Sequence, residues 1–180
     1  MGRRRTIDRD KVLDAAEAII VRAGAAGLTI DAVARAMGIT KGGVQYCFGS
    51  KDALIDALFE RWDKAYNATF SEFVGDATDP VTMVQAHAAA TRCSDVIANA
   101  KAAAFMATLI QTPEHLKGAR AWFRSRIAGL DLATVRGRRA RLLFLATEGA
   151  FMLRYFGLMD MDEAEWDDIF GDLASLALDG

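Results

Sequence analysis

Apolar residues recur at helical spacing along nearly the whole chain. Val12, Leu13, Ala16, Ile19, Ile20 and Ala23 share one face, with Asp8, Asp10 and Asp14 near the start and Gly24 after the end. This pattern predicts a first amphipathic helix. After a short connection from Ala25 to Leu28, Thr29 caps a second helix carrying Ile30, Val33, Ala34 and Met37 and ending at Gly38. A tight turn then leads to Thr40, which caps a third helix over Lys41 to Cys47, with Ile39 and Val44 at the spacing of a hydrophobic staple. Beyond Ser50, the residues Leu54, Ile55, Leu58, Phe59, Trp62, Ala65, Tyr66, Phe70 and Phe73 keep one period, which predicts a helix of roughly 35 Å. Its aromatic residues either form core or, at the far end, line a ligand cavity. Gly75 and the polar residues to Asp79 read as a hinge. Further helices are predicted over 80–99, 100–110, 113–129, 131–158 and 163–178. The last two carry long apolar faces, Leu142, Leu145, Ala146, Gly149, Met152, Leu153 and Phe156, then Trp166, Ile169, Phe170, Leu173 and Leu176. Such faces either close the core or pair with a second copy.

Composition agrees with an all-α fold. The chain holds roughly 34 alanines against 2 prolines, the best and the worst helix formers. Asp79-Pro80 and Thr112-Pro113 each set a capping side chain directly before a proline, the arrangement of a helix start. No β-branched run alternates with period 2. At 52% hydrophobic residues the 180-residue chain can bury a core, so wholesale disorder is excluded. Two cysteines, Cys47 and Cys93, support neither a disulfide scaffold nor a zinc cluster, and no cofactor or metal is expected. No apolar run reaches the roughly 18 residues of a membrane span, and the basic start lacks a signal core, so a soluble cytoplasmic protein is expected.

The net charge of −2 conceals an asymmetry. Residues 1–51 carry nine basic and five acidic side chains, for +4, and the rest carry 13 and 19, for −6. The split suggests a polyanion-binding head on an acidic body, or else a surface fluctuation. Two short helices joined by a tight Gly-containing turn form a helix-turn-helix, whose second helix fits the DNA major groove. Thr40, Lys41, Gln45 and Tyr46 present a hydroxyl, a cation, an amide able to read a base edge and a phenol, while Val44 and Phe48 face inward. Gly42 and Gly43 either leave a bare face for close approach to DNA or simply weaken a short helix by roughly 1 kcal/mol each.

The run from Gly38 to Lys51, preceded by Ala15-Ala16, Gly24, Leu28-Thr29 and Val33-Ala34, resembles the N-terminal domain of TetR-type transcriptional regulators over roughly residues 7–60. It departs from that pattern in the recognition helix, where Gln45 stands at a common Tyr position and Cys47 at a frequent His position. The resemblance implies phosphate binding at Lys51. The cap at Thr29 and the helix start at Ser50-Lys51 also suit phosphates, through free backbone N–H groups. Arg3, Arg4 and Arg5 form either an arm into a flanking minor groove or a solvated tail.

The expected organisation is therefore a three-helix DNA-binding domain over 1–51, together with the start of the connecting helix to about residue 60, and a helical ligand-binding and dimerisation domain over 52–180. The DNA-binding candidates are Arg5, Thr29, Thr40, Lys41, Gly42, Gln45, Tyr46 and Lys51. The resemblance further implies a homodimer through the C-terminal helices and a small, mostly hydrophobic inducer that releases a repressor from operator DNA. Candidate ligand-binding residues are Trp62, Tyr66, Phe105, Met106, Gln111, Trp122, Phe123, Glu148, Phe151 and Tyr155. Glu148 either points outward or is a buried charge that selects a cationic or hydrogen-bonding ligand. His87 and His115 fit no catalytic motif and read as surface or satisfied core residues, so no enzyme is expected. Cys93 beside Arg92 is either a buried structural residue or a thiol reactive toward electrophiles. Two alternatives remain: a constitutive helix-turn-helix DNA binder without inducer, and a helical small-molecule binder that does not bind DNA.

Overall fold

The computed structural model describes residues 7–111 and 113–178, without the side chains of 176–178. Among the described residues there are nine α-helices and no strand: α1 (Arg9–Gly27), α2 (Ile30–Met37), α3 (Lys41–Phe48), α4 (Lys51–Val74), α5 (Pro80–Cys93), α6 (Val96–Gln111), α7 (Leu116–Arg126), α8 (Val135–Tyr155) and α9 (Glu163–Leu178). A single 3-10 turn, Pro113–His115, precedes α7. The fold is all-α, as the periodicity predicts.

Local chemistry sets most helix ends. Thr29 accepts from the Ala32 N–H at 3.0 Å and Thr40 from the Gly43 N–H at 3.1 Å, which satisfies donors that have no partner within the helix. Gly38, at φ 63°, supplies the left-handed residue that ends α2. Asp79 caps α5 through Thr82, with Pro80 in the first helical position. Elsewhere the predicted bounds need correction. α5 ends at Cys93, because Ser94 closes it and Asp95 accepts from the Ile97 and Ala98 N–H groups to open α6. α8 starts at Val135, because Thr134 is its cap and Asp131 belongs to the preceding turn. Pro113 opens the 3-10 turn, and Thr112 lies outside the described residues. α1 continues to Gly27, although Gly24 interrupts it with a φ of 62°.

The chain divides into two compact units. The first comprises Met1–Asp63 with Ala104–Lys117, and the second Lys64–Ala103 with Gly118–Gly180. In the first, α1 packs on α2 and α2 on α3 around Val12, Leu28, Val33, Val44 and Leu54, each fully buried. Each such side chain contributes about 1.5–3 kcal/mol on burial. Arg61 ties α4 to α1, donating to the Asp10 carbonyl and pairing with Asp14 and with Glu17 at 3.3 Å. Partial burial works against its charge, but those acidic neighbours outweigh it and hold the guanidinium above its ordinary pKa.

In the second unit α5, α8 and α9 pack around Val81, Val84, Leu143, Phe144, Met161, Trp166 and Phe170. The Trp166 indole donates to the Arg92 carbonyl at 3.2 Å and so satisfies an end of α5. A smaller cluster of Phe70, Ala86 and Ala90 adjoins Tyr66, Val74 and Met83.

Candidate nucleic-acid interface and effector site

Val44 and Phe48 turn α3 into the core. Its other face is left to solvent, with Thr40, Lys41, Gly42, Gln45 and Tyr46 all exposed and Tyr46 accessible to 90%. Lys41 Nζ lies 3.2 Å from Asp31 Oδ2 across the turn. An exposed pair of this kind is worth about 0–1 kcal/mol, so a phosphate can readily replace the carboxylate. Thr29 opens α2, and the Ser50 hydroxyl accepts from the Ala53 N–H at 3.0 Å to open α4 beside half-buried Lys51. Both helix starts carry partial positive charge suited to phosphate. Arg5, with Arg3 and Arg4, lies outside the described residues.

The two glycines of α3 have different surroundings. A β-carbon at Gly42 would meet only Thr40 Oγ1, at 3.9 Å, whereas one at Gly43 would meet Ile7 Cδ1 at 2.8 Å. The bare exposed face expected of both glycines is therefore confined to Gly42, and Gly43 makes room for Ile7. Arg9 acts at the other end of α3. Its guanidinium donates to the Cys47 carbonyl at 2.6 Å and stacks 4.4 Å above the Phe48 ring. Ile7 and Arg9 thus brace both ends of the helix. Sequence reading counted Arg9 only as charge, since a contact 38 residues away leaves no local signal.

In the second unit a polar chain runs through aromatic core. Tyr66 on α4 hydrogen-bonds His87 Nδ1 on α5, and His87 Nε2 lies 2.8 Å from Glu148 Oε1 on α8. His87 is 2% exposed and the Glu148 side chain 16%. With the proton on Nε2, the imidazole donates to the carboxylate and accepts from the phenol, so all three groups are satisfied. The reading of His87 as a satisfied core residue is correct, and Glu148 points to a partner within the fold rather than outward. Next to this chain the Arg126 guanidinium stacks on Tyr66, Phe70 and Trp122 at 4.9, 5.0 and 4.5 Å and donates to Asn67 Oδ1 at 3.0 Å.

These geometries belong to a recognisable lineage. Residues 12–58 match the family model described as bacterial regulatory proteins of the tetR family, and residues 82–178 match that of the tetracyclin repressor-like C-terminal domain. The second match alone spans more than half of the chain. The chain belongs to the TetR family. It is accordingly a DNA-binding transcriptional regulator and not an enzyme.

Solved structures of TetR-like fold agree. A transcriptional regulator from Rhodococcus sp. Rha1 aligns with a TM-score of 0.74 at 18% identity, covering 96% of each chain. The multidrug binding protein EbrR, complexed with imidazole, gives 0.65 at 19% identity over 92% of this chain and 88% of its own. The fatty acid degradation regulator FadR from Bacillus halodurans gives 0.63 at 17% identity over 93% and 98%. Among curated protein sequences nothing matches.

In this TetR-family regulator the ligand-binding candidates fall into separate groups. Tyr66, Trp122 and Phe123 form a chain of rings, with centroids 5.0 and 5.1 Å apart, and Glu148 joins it through His87. Phe151 and Tyr155 pair at 5.2 Å, and the Tyr155 hydroxyl accepts from Asn99 at 3.2 Å. Trp62 and buried Phe105 both flank Phe59 in the first unit, Met106 is half-buried and Gln111 is exposed. None of the candidates lines the cavity of about 250 Å³ bordered by Gln85, Ala88, Ala89, Arg92, Cys93, Leu143, Phe170 and Ala174. Cys93 is exposed rather than buried. Sequence reading missed Arg126, although Trp122 and Arg126 stand four residues apart on one helix, a spacing that makes side chains neighbours. His115 is also largely buried, with ring nitrogens 3.3 Å from Asp52 and 3.5 Å from Asp56. Among the described residues no group of three or more His, Cys, Asp or Glu could hold a metal ion, and no single helix is long and apolar enough to cross a membrane.

Proposed function

We propose that this regulator is a dimeric repressor that a small, mostly hydrophobic molecule releases from operator DNA in the cytoplasm. The observation that carries the proposal is α3, capped by Thr40, anchored by Val44 and Phe48, and presenting Lys41, Gln45 and Tyr46 to solvent. In this reading residues 1–51 hold the DNA-binding function and 52–180 the ligand and dimer functions. Gln45 reads a base edge with Tyr46 beside it, while Thr29, Thr40, Lys41 and Lys51 hold phosphates and Gly42 admits the backbone.

A single short helix contacts few bases, so a two-fold dimer reading two half-sites suits this head. Support for the dimer comes from α8, whose Leu142, Leu145 and Leu153 are 61%, 56% and 38% exposed along one face. Support for a ligand comes from the aromatic cluster of Tyr66, Trp122 and Phe123, with Glu148 joined to it through His87. One structural neighbour is described as multidrug binding and another as a regulator of fatty acid degradation. A ligand that prefers one body conformation lowers operator affinity in proportion to that preference. The test is a gel shift against the DNA upstream of the protein's own gene over a range of salt. Sequence-specific binding that weakens with salt is expected, and its absence at moderate salt overturns the proposal.

A further inference from the structure

The arrangement around Arg126 names a ligand class. Its guanidinium lies 4.5–5.0 Å from the centroids of Tyr66, Phe70 and Trp122, three rings drawn from α4 and α7. That separation is within the reach of cation–π attraction at every ring. The three rings thus surround a flat cation, the guanidinium supplied by the chain itself. Tyr66 also joins the cage to His87, and His87 to the largely buried carboxylate of Glu148. His87 packs against Trp122 and Phe144 as well, with ring centroids at 6.0 and 5.2 Å. A carboxylate in such apolar surroundings favours a positive charge nearby.

We infer that the cage of Tyr66, Phe70 and Trp122 is a binding site for an organic cation, which replaces Arg126 while Glu148 supplies the counter-charge. That this cation is also the effector rests on the ligand-responsive reading above. The exchange is like for like. A neutral molecule that displaces Arg126 forfeits attraction to three ring faces, and an anion has to approach Glu148. Arg126 is the last residue of α7, and α8 begins only at Val135. Its side chain can leave for water without breaking a helix, exchanging the hydrogen bond to Asn67 and the ring contacts for hydration of the guanidinium.

The test uses the full-length protein and benzyltrimethylammonium, with neopentylbenzene as its uncharged carbon isostere. Binding is followed by tryptophan fluorescence and checked by equilibrium dialysis. The cation binds about tenfold more tightly than the isostere, a difference of about 1.4 kcal/mol. Arg126→Ala, which removes the internal competitor, binds the cation about tenfold more tightly than the wild type. Glu148→Gln weakens the cation and leaves the isostere unchanged. Arg126→Met, which keeps the side-chain bulk, serves where the alanine variant does not fold. Equal affinity for the two probes, tighter binding of phenylacetate than of the cation, or no gain in either Arg126 variant overturns the inference. Operator affinity is measured separately. Cation binding that leaves operator affinity unchanged sustains the site and refutes its role as effector site. Operator release by neutral or anionic compounds, where benzyltrimethylammonium fails to bind the protein, overturns the site and leaves the ligand-responsive reading intact.

Discussion

Alanine at position 42 separates what α3 needs for folding from what it needs for DNA. Gly42 is the second residue of the helix and its φ is not positive, so a β-carbon there is unstrained. The nearest atom to that carbon is Thr40 Oγ1, at 3.9 Å, an ordinary contact. Alanine stabilises a helix by up to about 1 kcal/mol relative to glycine. In a chain of this size that raises Tm by about 2–4 °C. The same methyl projects from the exposed face that carries Gln45 and Tyr46. Where the duplex comes into contact with the Gly42 backbone, the methyl forces a retreat. Losing one charge-assisted hydrogen bond per half-site costs about 1.5–3 kcal/mol, or at least tenfold in operator affinity. Thermal denaturation followed by circular dichroism and anisotropy of a labelled operator measure the two effects side by side. Gly43→Ala is the internal control. Its methyl must displace Ile7 Cδ1 from 2.8 Å, so its Tm rises less. A stabilised Gly42→Ala protein with unchanged operator affinity refutes close approach of DNA at this face.

Four further outcomes are expected. Gln45→Ala relaxes base preference at one position per half-site by about 1–3 kcal/mol, read from binding to a panel of operator variants. Leu142→Arg leaves the fold intact, because the side chain is 61% exposed, but yields a monomer in sedimentation velocity. Gly137→Ala destabilises the chain by about 1–3 kcal/mol in urea, since its β-carbon would lie 2.0 Å from the Asp131 carbonyl oxygen, whereas Gly149→Ala, in open space, is tolerated. The Thr82 N–H and hydroxyl, followed by Arg136, hold the Asp79 carboxyl below the usual carboxylate range. A carboxyl lowered on folding adds stability that is fully present above its unfolded pKa and is lost as pH falls through its folded one. Asp79→Asn therefore flattens the acid limb of the stability curve, and the gap to the wild type closes toward low pH in acid denaturation.

Much of the head was legible because its signals are local. Thr29 and Thr40 satisfy N–H groups three residues away, and Gly38 supplies its own backbone conformation. Such features depend only on near neighbours in the chain. The start of α6 was misread although Asp95 marks it, because the alanine-rich residues on both sides outweighed a single cap. The body was less legible, since continuous apolar periodicity indicates which face is buried but not what it meets.

The sequence by itself determined the all-α class, the helix-turn-helix, the caps that delimit α2 and α3, and the charge split between head and body. Periodicity, propensity and capping act within about one helical turn. Only the tertiary structure decided that Gly43 yields to Ile7, that Arg9 closes the end of α3, and that Glu148 meets His87. It alone brought Arg126 onto Tyr66 and Phe70. These partners stand 36, 38, 61 and 56–60 residues apart. What joins them is the packing of helices, a property of the whole chain that no local window carries.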